Sequence, residues 1–271
     1  LGAEPLPLGD WQEARQLVDR GVRPGQVYYY FVRAAADDRG RLASELGNAN
    51  SGYRALEPPA RLNASTGLAT TVEMEWAPVS GATYYRIYRS RQDQAASARP
   101  VGVWQTGRRF ADSTVIPGAT YYYWVKAATS NAGLNASELS VGSSGFRALA
   151  VPTQPSVSEQ SEAAVRLRWP AVLGASYYQI LRSISADMAA AQPLGDWMSE
   201  PVYEDGTAIP GVTYYYSVRA AVDRAGERSS VASASVPSFR LLAEPQSVVL
   251  DARSERMYLQ WAAVPGASYY Q

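Results

Sequence analysis

The 271-residue sequence balances 25 basic against 25 acidic side chains and contains neither cysteine nor histidine. Zero net charge removes the electrostatic footprint of a nucleic-acid binder or a polybasic membrane-surface protein. The missing residue types leave no disulfide, no Ser-His-Asp or Cys-His nucleophile system, no common zinc site and no cofactor motif, while no apolar run approaches the roughly 18 residues of a membrane span.

In chain order, the same markers return at one period. Trp11 is followed by Pro24-Gly25 and Tyr28-Tyr29-Tyr30, then by Tyr53-Arg54 and Leu56. The next cycle runs Trp76, Gly81, Trp104, Pro117-Gly118, Tyr121-Tyr122-Tyr123 and Phe146-Arg147 to Leu149. A third runs Trp169, Gly174, Trp197, Pro210-Gly211, Tyr214-Tyr215-Tyr216 and Phe239-Arg240 to Leu242, and a fourth opens with Trp261 and Gly266. Several independent markers in one register, about 93 residues apart, define tandem repeats.

Within each repeat the pattern is that of strands. Val72, Met74 and Trp76 alternate with Glu73 and Glu75, as Val165, Leu167 and Trp169 do with Arg166 and Arg168. Period two marks a strand with one buried face. Turn signals such as Asn131 to Gly133 and Asp223 to Gly226 separate short strands, which predicts an antiparallel sandwich.

These residues resemble fibronectin type III domains over the whole chain. Trp76 stands where that family carries its strand B tryptophan, and Gly81-Ala82-Thr83-Tyr84-Tyr85 looks like its strand C. Ile116 to Tyr121 resembles the E–F corner, with Tyr121, Tyr28 and Tyr214 in the place of the corner tyrosine. One departure is Leu17, where the later repeats have Phe110 and Tyr203. The resemblance implies an all-β fold of tandem fibronectin-type-III-like (immunoglobulin-like) antiparallel sandwiches. The expected boundaries are 1–57 for a second half-repeat, 58–149 and 150–242 for complete repeats, and 243–271 for a first half-repeat. It also implies a large bacterial cell-surface or secreted protein, hence an extracellular location.

Both ends have the same phase: Gln271 matches Gln179, and Leu1 matches Asp187. The first residue is not Met, so it is not expected to be a natural translation start, and any leader is expected outside this sequence. Two expectations follow. Either the chain is a window on a longer array, or the half-repeats complete one another head to tail between copies, with Tyr28, Tyr30 and Val32 covering Met257, Leu259 and Trp261.

A candidate contact face lies on strands C and F of the second repeat, 58–149: Tyr84, Arg86 and Tyr88 beside Tyr122, Trp124 and Lys126. Alternation places all six outward, where cations and aromatics form either a ladder that stabilises its own sheet or a contact face for a neighbouring copy, a glycan or a surface protein. The third repeat has Tyr177, Gln179, Leu181, Tyr215, Ser217 and Arg219 there, which suits packing against different neighbours better than one repeated ligand. Two sequons, Asn63-Ala64-Ser65 and Asn135-Ala136-Ser137, fit glycan acceptors in a secretory host and fit chance equally well. Glu73 and Glu75 are the nearest approach to a catalytic carboxylate pair, but both face solvent on one strand, so no enzyme activity is expected. The favoured function is a structural segment of an extracellular filament, stalk or adhesin. The alternative is a carbohydrate- or protein-binding accessory module attached to a catalytic domain elsewhere.

Overall fold

The computed structural model describes residues 5–246, 248–253 and 256–271, without the side chains of Ala252 and Arg253. Leu1, and with it the phase of the first residue, lies outside the described residues. Strands β1 (Val27–Tyr30) and β2 (Asn50–Tyr53) pair in 1–57. Repeat 58–149 contains β3 (Asn63–Ala64), β4 (Thr66–Leu68), β5 (Val72–Glu75), β6 (Tyr84–Ser90), β7 (Arg99–Gln105), β8 (Arg109–Asp112), β9 (Tyr121–Ala128) and β10 (Ser143–Arg147). Repeat 150–242 contains β11 (Ser156–Gln160), β12 (Val165–Arg168), β13 (Tyr177–Ser183), β14 (Gln192–Met198), β15 (Val202–Asp205), β16 (Tyr214–Ala221) and β17 (Val236–Ser238). A hairpin of β18 (Val249–Arg253) and β19 (Arg256–Gln260) follows. Among the described residues the only helical element is the 3-10 turn Ala95–Ser97, and no helix is long and apolar enough to cross a membrane.

The chain divides into two compact units. The first comprises Leu1–Ser65, Val72–Asp112 and Thr120–Gly145; the second comprises Thr66–Thr71, Ser113–Ala119 and Phe146–Gln271. In the second, sheet β11-β12-β15 and sheet β14-β13-β16-β17 enclose Val165, Leu167, Trp169, Ile180, Tyr216 and Val218. Arg166 and Arg168 of β12 point away from this core while Val165 and Leu167 point into it, as period two requires. Their burial contributes roughly 1.5–3 kcal/mol per large side chain. The first unit repeats the arrangement, with Val72, Met74 and Trp76 against Tyr85, Ile87, Tyr123 and Val125.

Each complete repeat also buries a carboxylate. Arg89 Nη1 donates to Asp112 Oδ2 at 2.6 Å, and the Tyr123 hydroxyl donates to the same oxygen at 3.3 Å. Arg182 and Tyr216 do the same for Asp205 at 2.7 and 2.9 Å, while the Thr207 hydroxyl and backbone N–H serve its other oxygen. A buried charge is tolerated only when paired and hydrogen-bonded like this. Half-repeat 1–57 keeps the Tyr30–Asp19 bond at 3.1 Å.

The aromatic-Arg marker has a separate task. The Arg147 guanidinium donates to the carbonyls of Ala69, Ser113 and Val115, and Arg240 donates to those of Glu162, Gly206 and Ala208. Five donors in a fixed fork close three loop carbonyls at once.

Successive repeats meet at a recurring junction. An alanine-like Cβ built on Gly81, Gly174 or Gly266 would stand 2.0 Å from the carbonyl oxygen of Pro24, Pro117 or Pro210 respectively. All three glycines hold positive φ, between 82° and 86°. The linker residues Leu56 and Leu149 are buried against the same spot. Above it, Asn135 Nδ2 donates to the Gly25 carbonyl at 3.2 Å in the first unit. In the second, Arg228 Nη1 donates to the Gly118 carbonyl at 2.9 Å while its guanidinium lies 4.2 Å over the Phe146 ring.

Gly174→Ala is expected to cost about 2–4 kcal/mol in urea denaturation, because it adds a backbone clash to left-handed strain. Gly195, at φ 71° with nothing within 4 Å of a built Cβ, is the control: Gly195→Ala incurs only the strain, about 1–2 kcal/mol.

Burial by itself raises the Asp205 pKa, but hydrogen bonds from Thr207, Arg182 and Tyr216 outweigh it and hold the carboxyl below its ordinary value. The same burial, with the Asp205 charge, pushes the Tyr216 hydroxyl far up. A depressed folded pKa contributes stability above the unfolded value, about 3.9, that is lost as pH falls through the folded one. Asp205→Asn is therefore less stable than wild type at pH 7, and the gap in urea midpoint narrows between pH 4 and pH 2.

Candidate functional site

The contact face is built by three adjacent strands. β6 and β9 pair with Arg86 opposite Lys126 and Tyr88 opposite Trp124, and β7 lies on the far side of β6. Tyr85 and Ile87 turn into the core, so Tyr84, Arg86 and Tyr88 turn out, and all three are half-buried. Tyr122 and Lys126 are half-buried on β9.

Trp124 departs from the expectation of an outward, ligand-accessible side chain. It is 4% exposed. The segment after β9 folds back along that strand: Ser140 and Ser137 accept from the N–H groups of Val125 and Ala127 at 3.0 Å each. It ends at Gly142, where a built Cβ would stand 2.8 Å from the indole Nε1. Alternation assigns Trp124 to the correct face, but it cannot register that another part of the chain covers that face.

The expected ladder of alternating cations and rings also takes another form. Toward the core side of the same strands, Arg89 and Arg91 lie 4.9 and 4.7 Å over the Tyr121 ring, and Arg182 lies 4.6 Å over Tyr214. Arg219 lies 5.0 Å over Trp197, and Arg33 lies 5.2 Å over Trp11. Trp11 and Trp197 thus stand beside the outer cations, although alternation along strands C and F alone passes over them, and Trp104 is their equivalent by sequence period. Their shared period with Arg33, Lys126 and Arg219 is the signal that links them.

Of the three corner tyrosines, Tyr28 accepts from the Arg23 N–H at 3.2 Å, as the resemblance implies. A second tie was not anticipated. The hydroxyls of Tyr85, Tyr178 and Tyr270 accept from Val79, Val172 and Val264 N–H at 3.0, 2.8 and 2.7 Å. Each tyrosine also packs against its repeat's strand B tryptophan, with ring centroids 5.6–5.7 Å apart.

The half-repeats present open faces. Met257, Leu259 and Trp261 are 62, 56 and 39% exposed, although their counterparts Val165, Leu167 and Trp169 are buried. Tyr28 and Tyr30 are half-buried and Val32 is exposed, where Tyr214, Tyr216 and Val218 are buried. Of the sequons, Asn63 is exposed on β3, whereas the Asn135 amide is engaged at the junction. Glu73 and Glu75 line an open depression over β3-β5-β8, and Glu75 lies 3.6 Å from Arg109.

No family model matches the chain. Over 142 residues it is 31% identical to a poly(3-hydroxybutyrate) depolymerase from Ralstonia pickettii, a match that takes in 52% of this chain and 25% of that protein. The chain thus spans a quarter of the relative's length. A fibronectin-type-III-like protein from Clostridium thermocellum matches 34% of this chain and 94% of its own, with 23% identity and a TM-score of 0.31. A two-domain fibronectin type III segment of chicken tenascin matches 68% of this chain and 99% of its own, with 18% identity and a TM-score of 0.51. At that identity the tenascin likeness speaks to fold alone, and together with the two repeated sandwiches it establishes that the chain is built of tandem fibronectin-type-III-like domains.

Proposed function

We propose that this chain is a spacer in an extracellular or cell-surface protein, a stalk, filament or adhesin segment whose repeats are joined through short packed junctions. The recurring junction carries this reading. At each one a proline carbonyl meets a glycine with no room for a side chain, and the linker begins with a leucine against the same glycine. A buried leucine contributes roughly 1.5–3 kcal/mol and a clamping hydrogen bond about 0.5–1.5 kcal/mol, enough to oppose bending at a short proline-bearing linker. The accessory reading also has support: part of a poly(3-hydroxybutyrate) depolymerase is similar over 142 residues. In that setting the same junctions hold a binding or catalytic domain at a set distance, and a catalytic domain in the same polypeptide is the feature that favours it.

The sequence lacks cysteine, so paired spin labels can be introduced cleanly. Labels at Ala111 and Glu204, equivalent exposed positions of adjacent repeats, are expected to give one narrow distance distribution that broadens in Leu149→Ala. A broad distribution in the parent chain overturns the stiff spacer.

A second reading rests on the open half-cores: copies join head to tail, 1–57 of one completing 243–271 of the next. The exposed apolar side chains match positions buried in the complete repeats, and covering each recovers roughly 1.5–3 kcal/mol. Native mass spectrometry of the 271-residue chain is expected to show oligomers that dissociate in Trp261→Asp. A monomer at tens of micromolar, or oligomers indifferent to the substitution, removes this reading.

A further inference from the structure

Two cations face each other across the centre of the outer sheet face in repeat 58–149. Arg86 on β6 and Lys126 on β9 are directly opposite in register. Like charges so placed repel. Among the described residues neither has a carboxylate partner. Arg86 is oriented by one hydrogen bond, Nε to the Gly102 carbonyl at 3.2 Å, which leaves the rest of its guanidinium fork free to bind.

The matching pair in repeat 150–242 holds one cation, and that cation is hydrogen-bonded. Gln179 replaces Arg86, keeps the equivalent bond to the Gly195 carbonyl at 3.0 Å, and accepts from Arg219 at 2.6 and 3.1 Å. Arg219 then stacks on Trp197, as Arg33 does on Trp11. In the middle repeat the corresponding positions are Lys126 and Trp104. The Trp104 indole is half-buried and backed by Gly133, whose built Cβ would stand 2.8 Å from the ring.

We propose that Arg86, Lys126 and Trp104 form a binding surface for a uronate-bearing polysaccharide. The guanidinium and ammonium take the sugar carboxylate, and the indole takes the apolar face of the pyranose. A carboxylate accepts from an arginine fork and a lysine together through its two oxygens. A bound anion also removes the repulsion that the free face sustains. The surface belongs to one repeat and is independent of the spacer role, because the equivalent face of 150–242 satisfies its own cation.

The test is affinity electrophoresis of the 271-residue protein in gels containing polygalacturonate, dextran or polyglutamate. Polygalacturonate alone is expected to retard the protein. Arg86→Gln and Lys126→Gln are each expected to weaken that retardation about tenfold. Trp104→Phe is expected to weaken it less, because the ring is retained. Removing either cation relieves repulsion, so both charge variants should melt at or above the parent temperature, which separates lost binding from lost folding. Equal retardation by polyglutamate overturns the proposal, since charge alone then suffices. So does failure to bind polygalacturonate, or binding unchanged in the charge variants.

Discussion

The tightest constraint in this molecule is the approach of a proline carbonyl to a glycine Cα at each boundary between repeats. A Cβ at Gly81, Gly174 or Gly266 has nowhere to go, since it would lie 2.0 Å from the oxygen. The positive φ of the same glycines turns the chain from strand B into strand C. One residue thus sets both the turn inside a repeat and the seat of the preceding one. The neighbouring leucine fits against it, and the loop after strand F reaches over with Asn135 or Arg228. Two different side chains make the same bond from equivalent positions, both at φ 50°. The backbone geometry of that loop therefore matters more than the chemistry of the residue it presents.

Inside each sandwich the fixed polar element is the buried Arg–Asp–Tyr group. It ties β6, β8 and β9 together at Asp112, and β13, β15 and β16 at Asp205, which apolar packing alone would not do in a specific register. The second marker, Arg147 or Arg240, acts at the perimeter and collects loop carbonyls that would otherwise lack partners. These two arginines show why one marker motif should not be assigned one role: the first pairs with a charge, and the second bonds to backbone.

Much of this was legible in the sequence. Period two in 72–76 and 165–169 fixed which side chains are buried, and the recurrence of Pro-Gly and of Tyr-Tyr-Tyr placed strand F and its turn. The Gly-Ala-x-Tyr-Tyr run was visible as a marker, but its reason was not. The glycine answers to a carbonyl from the preceding repeat, and the second tyrosine bonds a backbone N–H six residues upstream. Both are relations across a turn or a junction, and strand periodicity is blind to them. Trp124 failed for a related reason. The serine-bonded segment ending at Gly142 covers it, and covering depends on where a later segment folds back.

Comparison among the repeats separates two kinds of position. Residues that face the core or the neighbouring repeat recur with little change: the strand B tryptophan, the paired glycines and the buried aspartate. Residues on the outer face change character, from Arg86 to Gln179, Trp124 to Ser217 and Lys126 to Arg219. Core and junction positions are constrained by volume and by satisfied hydrogen bonds, so they repeat wherever the fold repeats. An outer position is set by its own surroundings, and Trp124, Gln179 and Ser217 are themselves buried there. In 150–242 those surroundings are internal, because Gln179, Arg219 and Trp197 satisfy one another. In 58–149 the same places hold two facing cations beside a tryptophan, an arrangement the fold itself does not require. On the proposed reading, spacing and binding are divided within one chain: the recurring positions serve the junctions, and the varied face of a single repeat is where a specific partner would be recognised.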